Sequence, residues 1–228
     1  MRAAVLGLAM AIAMVGQAAS AADNTLTAAE KAAGWRLLFD GRSLEGWRGF
    51  RTPEPDAGWT VTDGMLGPDP KTSRDIMTKE TFGDFELAFD WKVGPKGNSG
   101  VMFRVTEAGT QTYQSGPEYQ IVDNARGEPV VEQAGALYGL YAPTTDATKP
   151  VGEFNHSRLV LRGGRGEHWL NGVKVVEYDL NSAEFKAKVA ATKFRAWPQF
   201  AASPTGHIAL QNHGDPVFYR NIKIRPLK

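Results

Sequence analysis

The chain has 228 residues, with 26 Lys and Arg against 25 Asp and Glu and a formal net charge of +1. That balance, without a long basic run, argues against nucleic acid or an anionic membrane surface as a partner. No cysteine is present, so neither a disulfide framework nor a lipid-bearing thiol is available and stability must come from a buried core.

Arg2 precedes a small, apolar run over residues 3–19, and Ala19-Ser20-Ala21 fits the small-x-small rule of signal peptidase. Residues 1–21 therefore read as a cleavable Sec signal, which implies a periplasmic or secreted protein. The run is shorter than the roughly 20 residues of a membrane span. Residues 22–228 read as a single domain. Thr27-Ala-Ala-Glu30 is a capping-box pattern that predicts a short helix ended by Gly34.

From there the texture is β. Strands are predicted at Trp35–Phe39, Trp59–Thr62, Phe85–Trp91, Gly100–Thr106, Tyr119–Val122 and Ser157–Arg162. Glu167–Leu170 and Val173–Glu177 flank Asn171-Gly172, a strong two-residue hairpin signal. A second capping box, Asn181-Ser-Ala-Glu184, opens one late helix bounded by Pro198, and strands at Gly206–Gln211 and Val217–Ile224 follow. So many short strands without a linker or repeat predict an all-β fold, a two-sheet sandwich with one or two short helices.

The stretch Gly116–Asn124, GPEYQIVDN, sets polar residues in a strand. Period-two geometry points Tyr119 and Ile121 one way and Glu118 and Gln120 the other. Asp123 is out of phase, and a bulge near Val122 would bring it to the face of Glu118. The spacing is similar to that of laminarinase-type retaining glucanases, which carry three carboxylates there; here the middle one is Gln120. Both a solvated strand face and a set of acid–base groups fit. Arg104 is expected on one face with Met102, beside the carboxylates, and Tyr138 and Tyr141 stand in the glycine-rich loop 135–141. His168 is expected on the face opposite Trp169, and Gln211 and His213 on one side of a strand end. Two histidines with a Glu-x-Gln strand could make a mixed divalent site, although no metal motif occurs.

Together Trp35–Trp47, Asn98–Arg104, Pro117–Asn124, Gly135–Tyr138, His168–Gly172, Gly206–Gly214 and Phe218–Ile222 resemble, in order, the 3-keto-disaccharide hydrolase domain family, also described as 3-keto-glucoside 1,2-lyases and 3-keto-glucal hydratases. The resemblance runs from Ala33 to Pro226. It implies a concanavalin A-like jelly roll acting on glycosides oxidised at carbon 3, by proton abstraction at carbon 2 and elimination at carbon 1. It further implies Glu118 and His168, with Asp123, as base or catalytic groups, and Glu118, His168 and His213 as ligands of a divalent metal. Asn98, Arg104 and Gln120 would bind hydroxyls, and Tyr138 and Trp47 would hold the ring. Asn212 stands where many members carry Asp, so a supporting carboxylate is expected to be missing. A non-catalytic carbohydrate-binding module and an ordinary retaining glycosidase are the alternatives on the same sandwich.

Overall fold

The computed structural model describes residues 22–227, so the expected signal peptide lies outside the described residues. Strands β1 (Arg36–Leu37), β2 (Trp47–Gly49), β3 (Trp59–Thr62), β4 (Met65–Pro68), β5 (Ile76–Thr78), β6 (Phe85–Val93) and β7 (Asn98–Val105) make up the first half. Then come β8 (Glu118–Val122), β9 (Asn155–Arg162), β10 (Arg165–Leu170), β11 (Val173–Asp179), β12 (His207–Leu210) and β13 (Val217–Pro226). They form an antiparallel sheet in the order β11-β10-β9-β6-β13-β4-β3, with β1 also on β13, and a five-stranded antiparallel sheet in the order β2-β5-β12-β7-β8. The architecture is the expected two-sheet β-sandwich. Strands β2, β4 and β5 were not among those predicted. They are too short to show a period.

Local chemistry explains the ends of the elements. Helix α1 (Ala28–Ala32) has the full capping box: the Thr27 hydroxyl accepts from the Glu30 N–H and the Glu30 carboxylate accepts from the Thr27 N–H. Helix α2 (Ala183–Ala191) begins one residue later than its sequence signal, because Ser182 rather than Asn181 caps the Phe185 N–H. Strands β10 and β11 turn at Asn171 and Gly172, both with positive φ, as a two-residue hairpin demands.

The core lies between the sheets. Phe85, Leu87, Phe89, Trp91 and Val93 alternate inward from β6, and meet Val101 and Phe103 of β7 and Tyr119 and Ile121 of β8. Burying each such side chain contributes about 1.5–3 kcal/mol before ordering costs, which is how a cysteine-free chain is held. The outer face of the five-stranded sheet carries a smaller apolar cluster of Met77, Met102, Val105 and Ala209, with Phe50 and Tyr113 packed on it.

Strand β8 is an edge strand whose free side is covered by the loop 135–138. Gly135 N–H donates to the Gln120 carbonyl, Gln120 N–H to that of Ala136, and Tyr138 N–H to that of Glu118. The glycine-rich segment thus replaces a missing neighbour strand, satisfies backbone groups that would otherwise invite another chain, and places Tyr138 beside Glu118.

Candidate active site

Because Tyr119 and Ile121 are drawn into the core, Glu118 and Gln120 must project from the outer face of the five-stranded sheet. They form the floor of a cleft of about 150 Å³, lined also by Asn98, Tyr113, Gly116, Tyr138, Lys193, Phe194, Gln211 and His213. Six of the residues singled out in the sequence therefore meet: Glu118, Gln120, Asn98, Tyr138, Gln211 and His213.

Glu118 is 8% exposed, and among the described residues its carboxylate has no hydrogen-bond partner. It lies over Gly100 of β7: a Cβ built there would stand 1.9 Å from the Glu118 Oε1. A bare backbone position is therefore required under the carboxylate, which gives the Asn98-Ser99-Gly100 segment its meaning. Burial first, and the Asp75 carboxylate second, push the Glu118 carboxyl up to about 8, against the pull of Lys193. Beside it, Gln120 Nε2 donates to Asn98 Oδ1 at 3.4 Å and to the Glu132 carbonyl at 3.1 Å, while Gln120 Oε1 is buried without a partner. Asn98 keeps its amide N–H groups for the cleft. The Asn98 main-chain N–H donates to Asp215, whose carboxylate lies 3.9 Å from His213 Nδ1.

The opposite wall comes from a 3-10 turn, Lys193–Ala196, that follows α2. Phe194 stacks on Phe200 at 4.1 Å and is buried, which fixes the turn. Lys193 Nζ lies 3.3 Å from the Tyr138 hydroxyl and 4.5 Å from the centre of its ring. Burial first, then the carboxylates of Glu132 and Glu118, push the Tyr138 phenol up to about 12, so it remains protonated.

Asp75 is the carboxylate that acts most on Glu118 from outside the cleft lining. It accepts from the Thr112 hydroxyl and from the Asn212 N–H, and burial raises its carboxyl above the usual range. Asn212 itself ties down the segment before Asp75, donating to the carbonyls of Asp69, Pro70 and Ser73. Position 212 carries an amide, as the sequence shows, and the carboxylate nearest it by hydrogen bond is Asp75. Lys193, Phe194, Tyr113 and Asp75 carried no motif in the sequence. Only the cation beside an aromatic, between α2 and Pro198, marked the Lys193 segment.

The structure places four expected site residues elsewhere. His168 does face away from Trp169, but that face is the core: its ring is fully buried, packs on Tyr119 at 4.6 Å and bonds the Gly135 carbonyl and the Tyr178 hydroxyl. Burial lowers its imidazole to about 4, so it is a neutral packing residue. Trp47 is fully buried too, its indole N–H donating to the Leu38 carbonyl. Arg104 does not share a face with Met102. The ladder with β12 slips between His207 and Ala209, Arg104 takes φ +54°, and its guanidinium turns toward Asp84 at 3.6 Å. Asp123 needs the bulge that the sequence reading supposed, yet the β7–β8 register runs unbroken from Asn98–Val122 to Met102–Glu118. Asp123 instead caps a turn, accepting from the N–H groups of Ala125 and Lys96.

These placements bear on metal binding. A divalent ion needs several converging donors, and among the described residues no three His, Cys, Asp or Glu side chains are so grouped. Glu118 and His213 share the cleft while His168 lies on the far side of the sheet, so the expected triad does not fit a metal.

Comparison with known proteins bears on the family and the fold. The 3-keto-alpha-glucoside-1,2-lyase-like domain matches residues 34–225. A protein of Bacteroides thetaiotaomicron named 3-keto-disaccharide hydrolase is 29% identical, over 85% of this chain and 79% of its own. The crystal structure of a candidate glycosyl hydrolase from Parabacteroides distasonis is 33% identical with a TM-score of 0.84, over 91% of this chain and 100% of that one. A Bacillus subtilis protein with a galectin-like fold, 12% identical with a TM-score of 0.50 over 81% of this chain and 92% of its own, is alike in fold alone.

Proposed function

The chain belongs to the 3-keto-alpha-glucoside-1,2-lyase-like domain family, and from that premise we propose that it cleaves 3-keto-glycosides, with Glu118 as the base that removes the carbon-2 proton. The ketone at carbon 3 acidifies that proton, because the electrons of the broken C–H bond pass onto the carbonyl oxygen. The enolate then collapses, a double bond forms between carbons 1 and 2, and the aglycone leaves with its oxygen. A proton reaches that oxygen from His213 or from water. Addition of water across the glucal, hydroxyl to carbon 1 and proton to carbon 2, completes a net hydrolysis. Asn98 and Gln120 bind sugar hydroxyls in this reading, and Tyr138 flanks the ring.

One observation carries it. Among the described residues a single carboxylate lines the cleft, and it is desolvated, free of hydrogen bonds and raised to about 8. A group so placed is matched to proton abstraction near neutral pH. A retaining glycosidase instead needs two carboxylates about 5–5.5 Å apart, and with Asp123 capping a turn and position 120 an amide that pair is not in the cleft. The name of the Bacteroides relative supports the same substrate class. Export to a periplasm also belongs to this reading, resting on the apolar run 3–19 and the site after Ala21. The mature protein should then begin at Ala22, which intact-mass measurement of protein from a periplasmic extract checks.

The decisive assay offers purified protein p-nitrophenyl glucoside and its 3-keto form in deuterated water. Cleavage of the keto substrate alone, with deuterium at carbon 2 of the product, is expected. Cleavage of the plain glucoside would establish a glycosidase, and binding without turnover a carbohydrate-binding module.

A further inference from the structure

We propose that the ammonium of Lys193, steadied by the hydroxyl and ring of Tyr138, is the electrophile that holds the carbon-3 oxygen as it becomes an enolate. The inference rests on the keto-glycoside reading above and adds to it the group that a base alone leaves out. Removing a carbon-bound proton puts a full negative charge on an oxygen, and without a fixed positive or donor group facing that oxygen the charge is unstabilised.

Among the described residues the cleft holds one lysine or arginine, Lys193. Lys193 lies within 4 Å of no carboxylate among the described residues, so its charge is not already spent in an ion pair, unlike those of Arg48, Arg126 or Lys223. Its only hydrogen-bond partner there is the Tyr138 phenol at 3.3 Å. Its ammonium lies over two aromatic rings, 4.5 Å from the centre of Tyr138 and 5.6 Å from that of Phe194. Such cation–π seating restricts where a flexible lysine points without neutralising it. Tyr138 is held in turn by its main-chain bond to Glu118, so base and cation are tied to one frame across the cleft. The phenol adds a second donor, since burial keeps it protonated.

In the step assigned here the C2–H electron pair moves into a bond between carbons 2 and 3, and the carbonyl pair moves onto the carbon-3 oxygen. Lys193 and Tyr138 donate hydrogen bonds to that oxygen. No bond forms between nitrogen and carbon, and the lysine ends the turnover protonated as it began. Tyr138 and His213 line the cleft with Glu118, and the carboxylates of Asp75 and Glu132 act against its ionisation. Lys193 acts for it, so the lysine also tunes the base.

The test uses the full chain with p-nitrophenyl 3-keto-glucoside, Lys193→Met, which keeps an unbranched apolar side chain without the charge, and Lys193→Arg, which keeps the charge. Lys193 is exposed, so neither change disturbs the core. Lys193→Met is expected to lower kcat about 10²-fold with KM little changed. It should also move the ascending limb of kcat/KM above its wild-type position near pH 8, while Lys193→Arg keeps the limb in place. A merely structural lysine would move neither. Unchanged kcat and limb in Lys193→Met overturn the proposal. So does a borohydride-trapped sugar on Lys193, which would show an imine in place of a hydrogen bond. If the wild-type protein leaves the keto substrate intact, it is the keto-glycoside reading that fails, and the role of Lys193 falls with it.

Discussion

Burial acts on a carboxyl and an imidazole in opposite senses, because in each case desolvation favours the neutral form. Glu118 is thereby raised to about 8 and His168 lowered to about 4, and the two shifts predict different pH behaviour. As the proposed base, Glu118 would act only when ionised, so kcat/KM should climb with pH and level off above about 8. Its raised value also means that the folded protein binds this proton more tightly than the unfolded chain. That contribution to stability is present at low pH and is lost as pH rises from the ordinary carboxyl range through 8. Glu118→Gln should therefore cost about 10³-fold or more in kcat yet raise the Tm at pH 9 by about 2–6 °C, and a melt that falls instead would remove Glu118 from its desolvated position. For His168 the sign reverses. Its folded value lies below its unfolded one, so stability is full above about 6.5 and is lost as pH falls toward 4. His168→Gln should cost about 1–3 kcal/mol at neutral pH and flatten the acid side of a Tm-versus-pH series. The ascending limb of catalysis should stay in place, and a limb that moved would couple this histidine to the cleft.

At the level of the strand pair, the carboxylate and the glycine beneath it form one unit. Strand β8 supplies Glu118 and β7 supplies Gly100, in a register with no slip. Glycine in a strand interior ordinarily weakens it, and alanine would restore about 0.4–1 kcal/mol where the site has room. Here the added methyl would fall on the Glu118 carboxylate. Gly100→Ala is expected to displace that side chain and lower kcat by at least about 10-fold, with the β-sheet signal in circular dichroism unchanged. Full activity in that variant would show that the carboxylate works from another position. The same pair marks the limit of what the sequence revealed. Alternation alone separated Tyr119 and Ile121 from Glu118 and Gln120, because a regular ladder converts residue parity into faces. Parity failed at Arg104, where the ladder slips, and the bulge supposed for Asp123 is absent because the strand has already ended there; neither event leaves a trace in the order of side chains. His168 was placed on the right side of its strand, but a single sequence does not say which side of a strand meets the other sheet.

Over the whole molecule, the cleft is assembled from positions as far apart as Asn98 and His213, on two strands, three loops and the turn after α2. The sandwich itself was legible from its short strands and turns, since each element carries its own period or cap. The convergence of Lys193 on Tyr138 was not, because it depends on how α2 packs against the loop 135–141, a contact between segments that share no pattern. Without disulfides, all these segments are held in register by one core spanning both sheets. Occupying the cleft should then stabilise the entire fold rather than one edge of it. A 3-keto C-glucoside, whose carbon aglycone cannot leave, is the suitable probe. At about 100 times its Kd, binding to the folded state alone adds about 2.7 kcal/mol, or a rise in Tm of about 5–10 °C for a chain of this size. Calorimetry should show a single transition moving as a unit. A transition that split, with only part of the heat shifted, would show that the wall bearing Lys193 unfolds separately from the strands bearing Glu118, and that the cleft is not the rigid frame that proton abstraction between fixed groups requires.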